Sequence, residues 1–144
     1  MVAGKTRYAR LRKDNMNQVS DDELKKVIAD FLEMGHVDNI VAMFRRDPHY
    51  YDWIGEILAD ERFAVRLGVS VLFEELKTLQ PELLKLAIPS LSKVLDNEEP
   101  LYRGEAVNIL GIIGTSDAIE LVRTKLADPS PQVREMVGIV LDES

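Results

Sequence analysis

The sequence predicts an all-α fold, and three observations carry that prediction. Apolar residues recur at helical spacing along residues 20–144. Pro, Gly, Asp and Ser punctuate the pattern at short intervals, where helices start and stop. No stretch alternates as a strand does, and β-branched pairs such as Ile112-Ile113 sit inside longer helical patterns.

The first helix opens at Ser20-Asp21-Asp22-Glu23, which fits a capping box with two further acids suited to a positive helix N-terminus. Leu24, Val27, Ile28, Phe31 and Leu32 share one face, and Gly35 is placed to end the helix in a left-handed conformation. Val37, Ile40, Val41 and Phe44 form a second helix, closed before Asp47-Pro48. Tyr50, Trp53, Ile54, Ile57 and Leu58 form a third, and Val65, Val69, Leu72 and Leu76 a fourth. Pro81 opens a fifth, which packs through Leu84, Ile88, Leu91 and Leu95, with Pro89 expected to bend it. Pro100 opens a sixth, with Ala106, Ile109, Leu110 and Ile113 inward and Gly114 at its end. Ala118, Leu121, Val122 and Leu126 form a seventh; Pro131 opens an eighth, with Val133, Val137, Val140 and Leu141. Linkers this short predict antiparallel neighbours.

Composition bounds the function. The 144 residues are 46% hydrophobic, enough for one domain with a real core. Charged residues interrupt every apolar run well before ~18 residues, so no membrane span is expected. The N-terminus lacks an apolar segment of the secretory kind, and cysteine is absent, so the expectation is a cytoplasmic protein without disulfide or thiolate chemistry. Charge is uneven. Residues 1–19 hold Lys5, Arg7, Arg10, Arg12 and Lys13 against Asp14, a net +4, so the remainder carries −11 of the overall −7. The expectation is a basic, disordered N-terminal arm on an acidic domain, residues 20–144. Such an arm attracts phosphate, and an acidic body repels it.

An internal repeat runs through the chain. Leu58-Ala59-Asp60 precedes Val65-Arg66, Leu95-Asp96 precedes Tyr102-Arg103, and Leu126-Ala127-Asp128 precedes Val133-Arg134. Each Arg is followed by small or apolar residues: Val69-Ser70, Ala106-Val107 and Val137-Gly138. In this pattern Asp can cap the helix that follows. The Arg one turn in can reach the Asp of its own or the neighbouring turn, making a ladder of charge-assisted hydrogen bonds from Asp60, Arg66, Asp96, Arg103, Asp128 and Arg134.

Over residues 58–141 the chain resembles the HEAT-repeat family, particularly the short phycobilisome-lyase-type repeats. Residues 89–141 carry the likeness best: Pro89, Asp96, Arg103, Ile109-Leu110-Gly111, Ile113-Gly114, Asp128-Pro129 and Val133-Arg134. Residues 20–57 share only the helix periodicity, with Trp53 where the Arg would stand, as in a terminal repeat. The resemblance implies a right-handed α–α superhelix, a HEAT-like solenoid of about eight helices in four hairpins. It also implies that the Arg-bearing helices line a concave face. By spacing, that face would present Phe63, Leu67 and Val71; Leu101, Glu105 and Asn108; and Gln132, Glu135, Met136 and Ile139. Apolar residues with acidic punctuation suit another protein's segment, a helix or a basic peptide; the alternative is that they pack against adjacent helices.

The aromatic run from Asp47 to Trp53 gives a second patch, His49, Tyr51 and Trp53, since Tyr and Trp are common interface anchors. The alternative has Tyr50 and Trp53 filling space between hairpins, with His49 and Tyr51 exposed. The final helix offers Met136, Val140 and Leu141 to a homodimer. His36 and His49 with Asp38, Asp47 and Asp52 match no strong metal-ligand spacing, and no nucleophile–base constellation or phosphate loop is readable, so neither metal, cofactor nor enzyme activity is expected. Related folds include DNA glycosylases and chromophore lyases, but a fold does not transfer an activity. The function expected is a protein-binding scaffold, with nucleic-acid binding through Lys5–Lys13 as the alternative.

Overall fold

The computed structural model describes residues 20–143, the side chain of Glu143 excepted. The basic arm, residues 1–19, lies outside the described residues. Among the described residues there is no strand. Eight α-helices follow one another among the described residues: α1 Asp21–Glu33, α2 Val37–Arg46, α3 Ile54–Leu58, α4 Phe63–Leu79, α5 Ile88–Val94, α6 Pro100–Ile113, α7 Ser116–Arg123 and α8 Pro131–Glu143. Two 3-10 segments, Pro48–Trp53 and Pro81–Ala87, lead into α3 and α5.

Local chemistry sets several boundaries. Ser20 Oγ accepts from the Glu23 amide at 3.1 Å, and Asp21, Asp22 and Glu23 fill the first turn of α1. Gly35 and Gly114 follow α1 and α6 with φ of +82° and +69°, a region that costs a Cβ-bearing residue. Thr115 Oγ1 caps α7 by accepting from the Ala118 amide at 3.3 Å.

Three expectations change. Pro89 does not bend a long helix. It has no N–H to donate back to the preceding turn, so residues 81–87 wind as 3-10 and α5 starts afresh with Pro89 in its first turn. The segment before α3 also winds as 3-10, opened by Pro48 as Pro81 opens the other, although α3 itself begins without a proline. The seventh helix stops at Arg123, and Leu126 lies exposed beyond it rather than inward. Val27 is also largely exposed, and α1 packs through Ile28, Ala29 and Leu32 instead.

The helices pack in alternation. α4 lies against α6 and α6 against α8, while α3 lies against α5 and the two 3-10 segments lie against each other. α1 and α2 both rest on α4. One apolar core results, running from Ile28 to Val140, with Phe44, Phe73, Leu72, Leu76 and Leu91 among its fully buried side chains. Tyr51 is fully buried in it, edge-on to Phe44 and Phe73, and its hydroxyl oxygen accepts from Gln80 Nε2 at 2.6 Å. That bond satisfies two polar groups in the interior.

Candidate protein-binding face

The three repeat arginines do one thing three times. Arg66 Nη1 donates to the carbonyls of Asp60 and Glu61, both at 2.9 Å. Arg103 Nη1 donates to the carbonyls of Asn97 and Glu98 at 2.9 and 3.1 Å. Arg134 Nη1 donates to the carbonyls of Asp128 and Pro129 at 2.6 and 3.1 Å. Each guanidinium thus clamps the turn that leads into its own helix, satisfying carbonyls that the turn leaves without helical partners.

The middle clamp corrects the sequence reading. Asn97, not the exposed Asp96, occupies the place of Asp60 and Asp128. Its Oδ1 accepts from the Glu99 amide at 2.8 Å, as Asp60 Oδ1 accepts from the Arg62 amide and Asp128 Oδ1 from the Ser130 amide, both at 2.9 Å. In this register each turn residue stands six positions before its Arg.

The ladder is partial. Arg103 Nε and Nη2 meet Asp128 Oδ2 and Oδ1 at 2.9 Å each, a two-pronged bridge with the Asp128 side chain 2% exposed. The Arg103 guanidinium holds the Asp128 carboxyl below the usual carboxylate range. Asp60 turns instead to Arg62, which lowers its carboxyl in the same way and also reaches Asp30 at 2.8 Å and Glu33 at 3.1 Å on α1. Arg62 was not singled out by the repeat, because it precedes the helix and its partners lie about 30 residues back. Arg66 turns toward α6, with its Nε 3.3 Å from Glu105 Oε2 but without a hydrogen bond.

The face that the resemblance assigned to a partner is largely in solvent. Phe63 is 66% exposed, Leu67 51%, Val71 39%, Leu101 46% and Ile139 46%. Phe63, Leu67 and Val71 stand one turn apart on α4; Leu101 is on α6 and Ile139 on α8. Glu105, Asn108 and Met136 are half-buried, and Gln132 and Glu135 are exposed. Asn108 Nδ2 donates to Ser70 Oγ at 3.1 Å and ties α6 to α4. Burial pushes the Glu105 carboxyl up, against the opposing pull of Arg66.

The second patch does not form. Tyr51 and Trp53 are buried, because the 3-10 segment turns them inward, and only His49 of the three is exposed. His49 Nδ1 lies 2.9 Å from Asp47 Oδ2, and that hydrogen bond holds the Asp47 carboxyl low. The proposed dimer contact on α8 is also reduced, since Val140 is buried and Met136 and Leu141 pack on the core. Among the described residues no group of three or more His, Asp or Glu side chains is placed to hold a metal ion. No helix among them is long and apolar enough to cross a membrane.

Comparison with protein-family models, curated proteins and solved structures found no match to the chain.

Proposed function

We propose that the chain is a HEAT-like, right-handed α-solenoid of helical hairpins that acts in the cytoplasm as a non-enzymatic protein-binding module, using the α4–α6–α8 face. The observation that carries this reading is the exposure of Phe63, Leu67, Val71, Leu101 and Ile139 on helices packed side by side. Scattered apolar residues on a surface are ordinary; several on one face, next to a complete core, mark an interaction surface. The three equivalent arginine clamps support the repeat reading, since each unit joins its turn to its helix in the same way. The acidic side chains Glu105 and Glu135 on that face favour a protein over a phosphate backbone.

The test is recovery of partners from native lysate by the full chain and by a Leu67→Asp/Met136→Asp variant, with helicity checked by circular dichroism. A protein recovered by the first and lost with the folded variant supports the face. Equal recovery by both contradicts it.

A further inference from the structure

The apolar residues of the face are set among carboxylates. Val71 and Leu79 line an open hollow of about 440 Å³ with Glu74, Glu75 and Thr78. Glu74 also lines the next hollow, about 280 Å³, with Lys77, Asn108 and Ile139. Leu101 and Met136 border a third, about 150 Å³, which includes Glu105 and Gln132. Each of these three hollows therefore contains a glutamate, and among the described residues Lys77 is the single basic one lining any of them.

Glu105 is the most distinctive of these acids. It is half-buried between α4 and α6, and its contact with Arg66 Nε lacks a hydrogen bond. Arg66 commits Nη1 to the carbonyls of Asp60 and Glu61, and its guanidinium lies 5.7 Å from the Phe63 ring centre. Glu105 thus already forms an ion pair with Arg66 at 3.3 Å, and a cation brought to it would share that carboxylate, beside apolar neighbours, where ion pairs are stronger than in open water.

The shape fits a helix. Phe63–Leu79, the 17 residues of α4, measures about 24 Å from first to last at the helical rise, so an occupant lying along it has about 17 residues. No strand edge is present among the described residues to pair with an extended peptide, whereas a helix satisfies its own backbone. Resting on the protein-binding reading above, we propose that this face takes a cationic amphipathic helix of another protein, with a Lys or Arg of its middle turns paired to Glu105 and its apolar stripe on Phe63, Leu67 and Val71.

The probe is a synthetic Leu/Lys amphipathic helix of about 18 residues, titrated into the full chain by fluorescence anisotropy. A Leu/Glu counterpart and a scrambled Leu/Lys peptide without an apolar face are the comparisons. The expected result is saturable binding of the Leu/Lys helix alone. Leu67→Asp should weaken it by about tenfold although it adds a negative charge, and Glu105→Gln by about threefold to tenfold with a shallower salt dependence. Glu120→Gln removes the same charge from α7, outside the face, and should change nothing. Equal binding of the scrambled peptide, or equal losses with Glu105→Gln and Glu120→Gln, would reduce the interaction to general charge attraction and overturn the proposal. Absence of binding would overturn it as well. Leu67-dependent binding of the Leu/Glu helix instead would leave the protein-binding face standing and overturn its cationic occupant. A dimer of the free chain dissolved by Leu67→Asp would assign the face to a second copy, with the same consequence.

Discussion

Asp128→Ala should be among the most damaging single substitutions in this molecule. The Asp128 carboxylate is 2% exposed and accepts three hydrogen bonds: from Arg103 Nε, from Arg103 Nη2 and from the Ser130 amide, all at 2.9 Å. Removing it strands the Arg103 guanidinium, whose side chain is 12% exposed, beside an apolar methyl group. Breaking a buried pair from one side costs about 3–5 kcal/mol, and loss of the turn-capping bond adds about 1 kcal/mol. Arg103 keeps its bonds to the Asn97 and Glu98 carbonyls, and it is close enough to solvent to regain some water. The low end applies, about 3 kcal/mol. That is a large part of the ~5–15 kcal/mol typical of a domain. Urea unfolding followed by circular dichroism reads it directly: with a slope of about 1.5 kcal/mol/M the midpoint falls by about 2 M. The paired replacement Arg103→Met/Asp128→Leu should cost less than Asp128→Ala alone, because no charge is left stranded. A loss below about 1 kcal/mol for Asp128→Ala would mean that the Arg103–Asp128 pair contributes no more than an exposed one.

Three further outcomes follow from the same structure. Gly55→Ala places a methyl group onto the Ser90 carbonyl oxygen where α3 crosses α5, and thermal unfolding should show a loss of about 1–3 kcal/mol. Tyr51→Phe removes the buried acceptor of Gln80 Nε2, with an expected loss of about 1–3 kcal/mol, and a Gln80→Leu change added to it should restore part of that stability. Asp60 and Asp128 both have carboxyls depressed by their arginines, so their contribution is complete above the unfolded aspartate value of ~3.9 and is lost as pH falls through the lower folded values; urea midpoints should decline below about pH 4, less steeply in Asp128→Asn.

Much of the helical framework was legible because its signals are local. Ser20, Gly35, Pro100, Gly114 and Pro131 each act within a turn of the chain, and their chemistry does not depend on distant neighbours. Tyr51 was placed outward because its segment winds as 3-10, with three residues per turn, so a 3.6-residue projection that turns Tyr50 inward assigns Tyr51 the wrong face; Trp53, which the same projection turns inward, is buried, and only its residue type suggested an exposed anchor. Asp96 was chosen by residue type, whereas the constant six-residue spacing to Arg103 would have pointed to Asn97, which supplies the same side-chain acceptor without the charge. Arg62 and Gln80 were missed for another reason: Arg62 reaches back to α1 and Gln80 to Tyr51, about 30 residues away in each case, and one sequence gives no sign of such pairings. On the candidate face, spacing separated Phe63, Leu67 and Val71 from the buried Val65, Val69 and Leu72, because one helix carries both stripes.

Site-specific photo-crosslinking in native lysate probes the proposed protein-binding face on α4, α6 and α8. A benzoylphenylalanine is placed at Leu67, Leu101 or Ile139, and at the exposed Leu86 or Leu126 outside the face as controls. The expected result is capture of the same protein from the three face positions and not from the two controls. Capture of that protein equally well from Leu86 or Leu126, or no capture from any face position, would contradict it.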